Sequence, residues 1–212
     1  MFKTIVMFRT VALFVMSILC VCAAFQCRAQ TRSDSQKPKQ KTKVETQYDE
    51  KKNQTLARIG PFELWRPPEN SVSGEINYER IHLSVSFLYS GKRIVRPKVV
   101  TLMVFAASEG GAQFDRSRDL SVSSNSRQYD LGEMELVGKS EGRVVKSISR
   151  NTLVLLVSES LRKEISFDEF VQIARFEKAD MKIGKRNLKI EKKYLEAFRN
   201  FVFLMEQQGV QF

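Results

Sequence analysis

Ile81, Leu83, Val85, Phe87 and Tyr89 alternate with His82, Ser84, Ser86 and Leu88. A period of two over nine residues suits a strand with one face in a core and the other largely in water, and it does not suit a helix. Ser90-Gly91-Lys92 supplies the turn that follows. Around this strand the chain keeps the same rule. The run 99–107 (VVTLMVFAA) is apolar on both faces and reads as a central strand, and 153–157 (LVLLV) reads as a second strand buried on both faces. Leu120 and Val122 mark a short strand, with a turn at Asn125. Tyr129, Leu131, Met134 and Leu136 mark another, whose phase slips at Gly132 as in a bulge. Residues 144–148 are a short strand candidate, and 56–65 reads as an edge strand because Pro67-Pro68 ends its pairing. About seven short strands joined by turns predict a mainly β (α+β) chain built as an antiparallel β-sandwich.

Past residue 158 the period changes. Ser166-Phe167-Asp168-Glu169 is a capping box, so a helix begins there with Phe167, Phe170, Val171 and Ala174 on its apolar face. Ala179, Met181 and Ile183, then Leu188 and Ile190, flank a turn at Gly184-Lys185 and predict a small hairpin. From 191 to 208 helical spacing returns: Leu195, Phe198, Val202 and Met205 form the stripe, widened by Tyr194, Ala197 and Phe201. The expected ending is a helix-hairpin-helix cap over the sandwich.

The N-terminus reads as an address. Lys3 and Arg9 precede 18 uncharged residues, and small residues follow, which is the layout of a secretory signal peptide over 1–29. Cleavage fits after Ala29 or after Ala24. The alternative is an uncleaved membrane anchor, since 18 residues is at the short edge of a spanning helix. Leu19, Val21 and Gln26 precede the cysteines where a lipid-modified cysteine would want a small residue. Cys20, Cys22 and Cys27 all lie in this segment, so a chain cut after Ala29 is cysteine-free and has no disulfide framework. That favours a periplasmic or secreted bacterial protein over an exported eukaryotic one, although Asn53-Gln54-Thr55 spells a glycosylation triplet. Removing Lys3, Arg9 and Arg28 lowers the formal charge from +11 to +8, so the mature protein stays basic. Residues 30–55, with Lys37, Lys39, Lys41 and Lys43 among polar neighbours, read as a disordered basic spacer. Its role is a soluble tether or a basic arm for an anionic surface. A single domain is expected over 56–212.

The stretch IHLSVSFLYSGK (81–92), the strand at 99–107, and the ending SFDEFVQIA followed by a hairpin and a Phe-rich helix resemble a type of small exported bacterial protein of uncharacterised role. The resemblance covers about two thirds of the chain. It implies one β-sandwich-like domain and no particular activity.

Several chemistries are excluded or weakly spelled. One histidine rules out multi-His metal sites and two-imidazole relays. His82 lies on the polar strand face with no G-x-S-x-G elbow to serve, so it reads as an exposed, non-catalytic residue. Ser160-Leu161-Arg162-Lys163 matches S-x-x-K, but the K-T-G companion is missing and Ser123-Ser124-Asn125 lies upstream, in the wrong order. Asp168 and Glu169 serve the cap, and Asp115 and Asp119 alternate with Arg116 and Arg118 in a solvated loop. No calcium loop or phosphate loop is spelled, and no cofactor is implied. Trp65 with Phe62 is a sugar-stacking pair on one reading and core on the other.

The charge constellation that remains is 178–193, seven basic residues against Asp180 and Glu191. Lys192 and Lys193 fall in the first turn of the last helix, where the dipole favours anions, so Lys185, Arg186, Lys192 and Lys193 form a candidate anion-binding site. The plainer reading is a solvated face whose lysines keep a hairpin edge from pairing. The expected function is an exported, non-catalytic binding or scaffold domain of the bacterial envelope. Its partner would be a protein or an anionic envelope component; export removes nucleic acid, and membrane contact is transient, through the signal. The alternative is a carboxylate-dependent hydrolase acting on envelope polymers.

Overall fold

A computed structural model describes residues 44–67, 78–124, 127–147 and 152–208. The signal segment and most of the expected spacer lie outside these residues, as does the turn at Asn125. Ten strands form two antiparallel sheets that meet in one hydrophobic core. The larger sheet has the order β1 (Glu45–Asp49), β2 (Gln54–Trp65), β3 (Arg80–Ser90), β4 (Val99–Glu109), β8 (Thr152–Ser166), β7 (Glu135–Ser147). The smaller has the order β10 (Arg186–Ile190), β9 (Ala179–Ile183), β5 (Asp119–Ser124), β6 (Arg127–Glu133). Helices α1 (Phe167–Ala174) and α2 (Lys192–Gln208) complete the domain.

The expected class holds: two mostly β layers with antiparallel pairing throughout and a C-terminal helix. Its core follows the predicted alternation. Ile81, Leu83, Val85, Phe87 and Tyr89 on β3 are buried, as are Val100, Leu102, Val104 and Ala106 on β4. Helix α2 brings Phe198 and Phe201 onto this face, edge-on to Phe62 and Phe87 at 5.4 and 5.6 Å between ring centres, and Phe170 of α1 meets both. Helix α1 starts where the capping box places it: the Ser166 hydroxyl accepts from the Glu169 amide at 3.2 Å, and the Glu169 carboxylate accepts from the Ser166 amide at 2.8 Å.

Four expectations need correction. The strands number ten rather than about seven because both hairpin strands join the smaller sheet and because 45–55, read as spacer, adds β1 to the larger one, so the domain begins earlier than residue 56. Strand β1 escaped notice because four of its five residues are exposed; what holds it is a backbone ladder to β2 and the 2.7 Å Arg58–Glu45 ion pair, neither visible as hydrophobic pattern. For the same reason 56–65 is no edge strand, since β1 covers its outer side. The hairpin at 179–190 forms as expected, yet it is not a separate cap: β9 pairs with β5 and so builds half of the smaller sheet. Gly184, at φ +54° in its turn, sits so close to Ser117 that a Cβ there would lie 2.3 Å from the Ser117 carbonyl oxygen.

The phase slip at Gly132 has a larger meaning than a bulge. The register does shift there, with Gly132 at φ +74°. Two residues on, Met134 is the crossover from the smaller sheet (β6) to the larger one (β7). The fourth correction concerns 153–157. The pairing of β4 with β8 ends at Glu109 opposite Leu156, whereas β7 and β8 stay paired to Ser147 opposite Thr152. The end of the β7–β8 ribbon therefore outruns its neighbours, and Leu153 and Leu155 are 55% and 39% exposed rather than buried.

Candidate functional site

The four cations of the candidate anion site are placed in two pairs rather than one cluster. Lys185 and Arg186 lie at the β9–β10 turn, and Lys192 and Lys193 open α2 at the far end of β10. A five-residue strand separates them by about 13 Å between its first and last Cα atoms. Arg186 is spent on packing, its guanidinium 5.3 Å from the centre of the Trp65 ring. Lys193 pairs with Glu191 at 2.6 Å and lies over the Tyr194 ring at 4.8 Å. The Glu191 hydrogen bond raises the Lys193 ammonium above its ordinary pKa, against the opposing effect of burial. Lys185 and Lys192 make no ion pair with a described residue.

The surroundings explain why Trp65 and Phe62 do not form one platform. Phe62 points into the core against Tyr194 (4.9 Å) and Phe198, while Trp65 lies past a register shift and takes Arg186. The Tyr194 hydroxyl donates to the Glu63 carbonyl oxygen at 3.0 Å, fixing the start of α2 against β2. Burial would raise the Glu63 carboxyl, but the Arg66 hydrogen bond and charge, helped by His82 and Arg80, hold it below its ordinary value.

His82 is half-buried rather than exposed, in register with Glu63 and Phe105, and its Nδ1 is buried without a hydrogen-bond partner among the described residues. Ser160 and Lys163 occupy a strand, where residues three apart face opposite sides of the sheet, so the S-x-x-K spacing brings no lysine to the serine. Asp115 is paired with Lys139 at 3.0 Å. Among the described residues no group of three or more His, Cys, Asp or Glu is placed to hold a metal ion. No described helix is long and apolar enough to cross a membrane. Between α1 and α2 lies a cleft of about 210 Å³ lined by Val171, Val202 and Phe203. Ordinary ligand pockets run to about 300–1,000 Å³. Arg199 beside this cleft donates to the carbonyl oxygens of Ala174 and Phe176, both at 3.1 Å, and so closes the C-terminal end of α1.

The surface that sequence reading missed is the β7–β8 ribbon. Side chains alternate along it, and the face continuous with the core carries Val145, Leu153 and Leu155, 39–55% exposed. One buried carboxylate marks where cover stops. Glu159, 1% exposed, accepts from the Gln113 amide at 2.7 Å and the Phe114 amide at 3.2 Å, which ties the loop after β4 over β8. Beyond Glu159 only Val157 remains buried. The far end of the ribbon is anchored: Glu109 pairs with Lys146 at 2.6 Å and accepts from the Tyr78 amide at 3.2 Å, and the Tyr78 hydroxyl donates to the Val145 carbonyl oxygen at 2.8 Å. No local signal in the sequence marks it, since 153–157 is flanked by β7 throughout and loses cover only because the pairing with β4 stops at Leu156.

No protein-family model, of enzymes or otherwise, matches this chain, and neither does a curated protein or a solved structure.

Proposed function

We propose that this chain is an exported, non-catalytic binding domain of the bacterial envelope that engages a protein partner through the β7–β8 ribbon. The observation that carries the reading is the exposure of Val145, Leu153 and Leu155 on an anchored pair of strands. Contiguous apolar side chains left in water on a soluble surface mark interaction sites, and a ribbon already fixed in shape loses little conformational entropy on docking. The uncharged segment 10–27 after Lys3 and Arg9 supports export.

The test is a photo-crosslinking residue at position 153 or, as control, at the exposed Lys189 of β10, in cells producing the full chain. The expected result is one recurrent protein adduct at 153, absent at 189 and lost when Leu155 is changed to Asp. Equal adducts at both positions, or none at 153, would refute the reading. N-terminal sequencing of the envelope product is expected to begin after Ala29 or Ala24; recovery of the intact chain from the cytosol would refute export.

A further inference from the structure

The ribbon has a second property, which resides in its backbone. Strand β7 ends the larger sheet, and no described strand pairs with its outer side. The Gly110 amide donates to the Leu155 carbonyl oxygen at 2.9 Å, so the backbone of Leu155 faces β4. In an antiparallel ladder the residue opposite then turns its own N–H and C=O away from the pair. That residue is Arg143, and the uninterrupted register extends the same orientation to Glu141 and Lys139. The Tyr78 hydroxyl, bonded to the Val145 carbonyl oxygen, shows the same outward direction two residues on and bounds the open stretch. Along it the side chains read Lys139, Glu141, Arg143, plus-minus-plus on one face. Gly138, Ser140 and Gly142 on the other face are too small to hold a neighbour off.

Charges that guard an edge repel a copy when they share one sign; alternating charges attract one in the right register. Antiparallel pairing of β7 with itself permits three nearby registers that join outward-facing residues. Placing Glu141 opposite Glu141 sets Lys139 against Arg143, so like charges meet throughout. Placing Lys139 opposite Glu141 calls on a lysine already held by Asp115 at 3.0 Å and by its own Glu141 at 3.7 Å. The third sets Glu141 opposite Arg143 twice about a twofold axis at Gly142, and Arg143 has no ion pair with a described residue.

We infer that a second copy of this chain pairs with the first along β7, antiparallel, with Glu141 of each opposite Arg143 of the other and Gly142 on the axis. The charges share a face with the apolar side chains, Arg143 lying opposite Leu155, so the pairing is told apart from the partner docking by its response to charge reversal and by the disulfide at 142, neither of which alters Val145, Leu153 or Leu155.

The pairing is tested by sedimentation equilibrium on the full chain with charge reversals. The native chain is expected to be dimeric at micromolar concentration. Glu141→Arg or Arg143→Glu alone is expected to raise the dissociation constant at least tenfold, and the double reversal E141R/R143E to restore it to within about threefold. Both side chains are exposed, so folding is not at stake. In a chain with Cys20, Cys22 and Cys27 replaced by Ser, Gly142→Cys is expected to form an intermolecular disulfide on mild oxidation. Facing residues at a non-hydrogen-bonded position lie about 4.5 Å apart, and a Cβ at 142 meets nothing within 4 Å. Ser140→Cys, set opposite Val144, is expected not to crosslink, because bridging demands Cα atoms within about 7 Å. A monomer at 0.1 mM, an association indifferent to the reversals, or equal crosslinking at 140 and 142 would overturn the inference.

Discussion

Residues 99–107 on β4 and 153–157 on β8 have the same texture in sequence, unbroken apolar runs that invite burial on both faces. On β4, Val100, Leu102, Val104 and Ala106 are at most 4% exposed, although Val99 and Phe105 on the opposite face are 44% and 43% exposed, whereas within 153–157 only Val157 is so buried. The difference lies in what stacks over each strand. Strand β4 runs between β3 and β8 beneath the shared core, while the end of β8 has passed beyond β4 and beyond the loop held by Glu159. Hydrophobicity states what a segment loses by staying in water; whether it stays there depends on neighbours far away in the chain.

The sharpest way to break this comparison is one substitution made twice. Leu102→Ala removes a buried side chain and is expected to cost about 2–5 kcal/mol. Leu153→Ala, at a half-exposed site, is expected to stay within about 0.5 kcal/mol. Denaturant unfolding of the two variants measures both, and equal losses would show that the ribbon end is covered after all.

Next in size is Glu159→Gln, which turns an acceptor oxygen into an amide donor facing a backbone N–H. The expected cost is about 1–3 kcal/mol, together with faster hydrogen exchange at Gln113 and Phe114, because this residue sets the border between the covered and bare halves of β8. Ser166→Ala, at the other end of β8, deletes the cap of α1 and is expected to cost about 1 kcal/mol with no change in exchange at the ribbon.

The smallest effect concerns pH. The Glu63 carboxyl is held below its ordinary value of 4.5, so its contribution to stability is full above that value. It is lost as the pH falls through the lower value of the folded state. Stability measured from pH 7 down to pH 3 is expected to fall less steeply in Glu63→Gln than in the native chain, and parallel curves would remove Arg66 from the account.

Local rules were legible where the information is local. The capping box at Ser166, the alternation through 81–89, the stripe of Leu195, Phe198, Val202 and Met205, and the turn at Gly184 each depend on residues a few positions apart, and each is found where the pattern puts it. Strand β1 was illegible because a backbone ladder can hold exposed polar residues as well as buried apolar ones. The candidate anion site was half legible. The charges and the basic first turn of α2 are real, but sequence spacing concealed that β10 lies extended between the two pairs and that Arg186 is committed to Trp65.

The sequence by itself determined the periods: which stretches extend, which coil, where each begins, and which side chains seek the core. The tertiary structure decided which of those side chains are covered, which sheet the hairpin joins, and which strand is left at the edge. Periodicity acts over one or two turns of chain, whereas cover and edges arise from contacts between segments tens of residues apart, whose register and length no local pattern records.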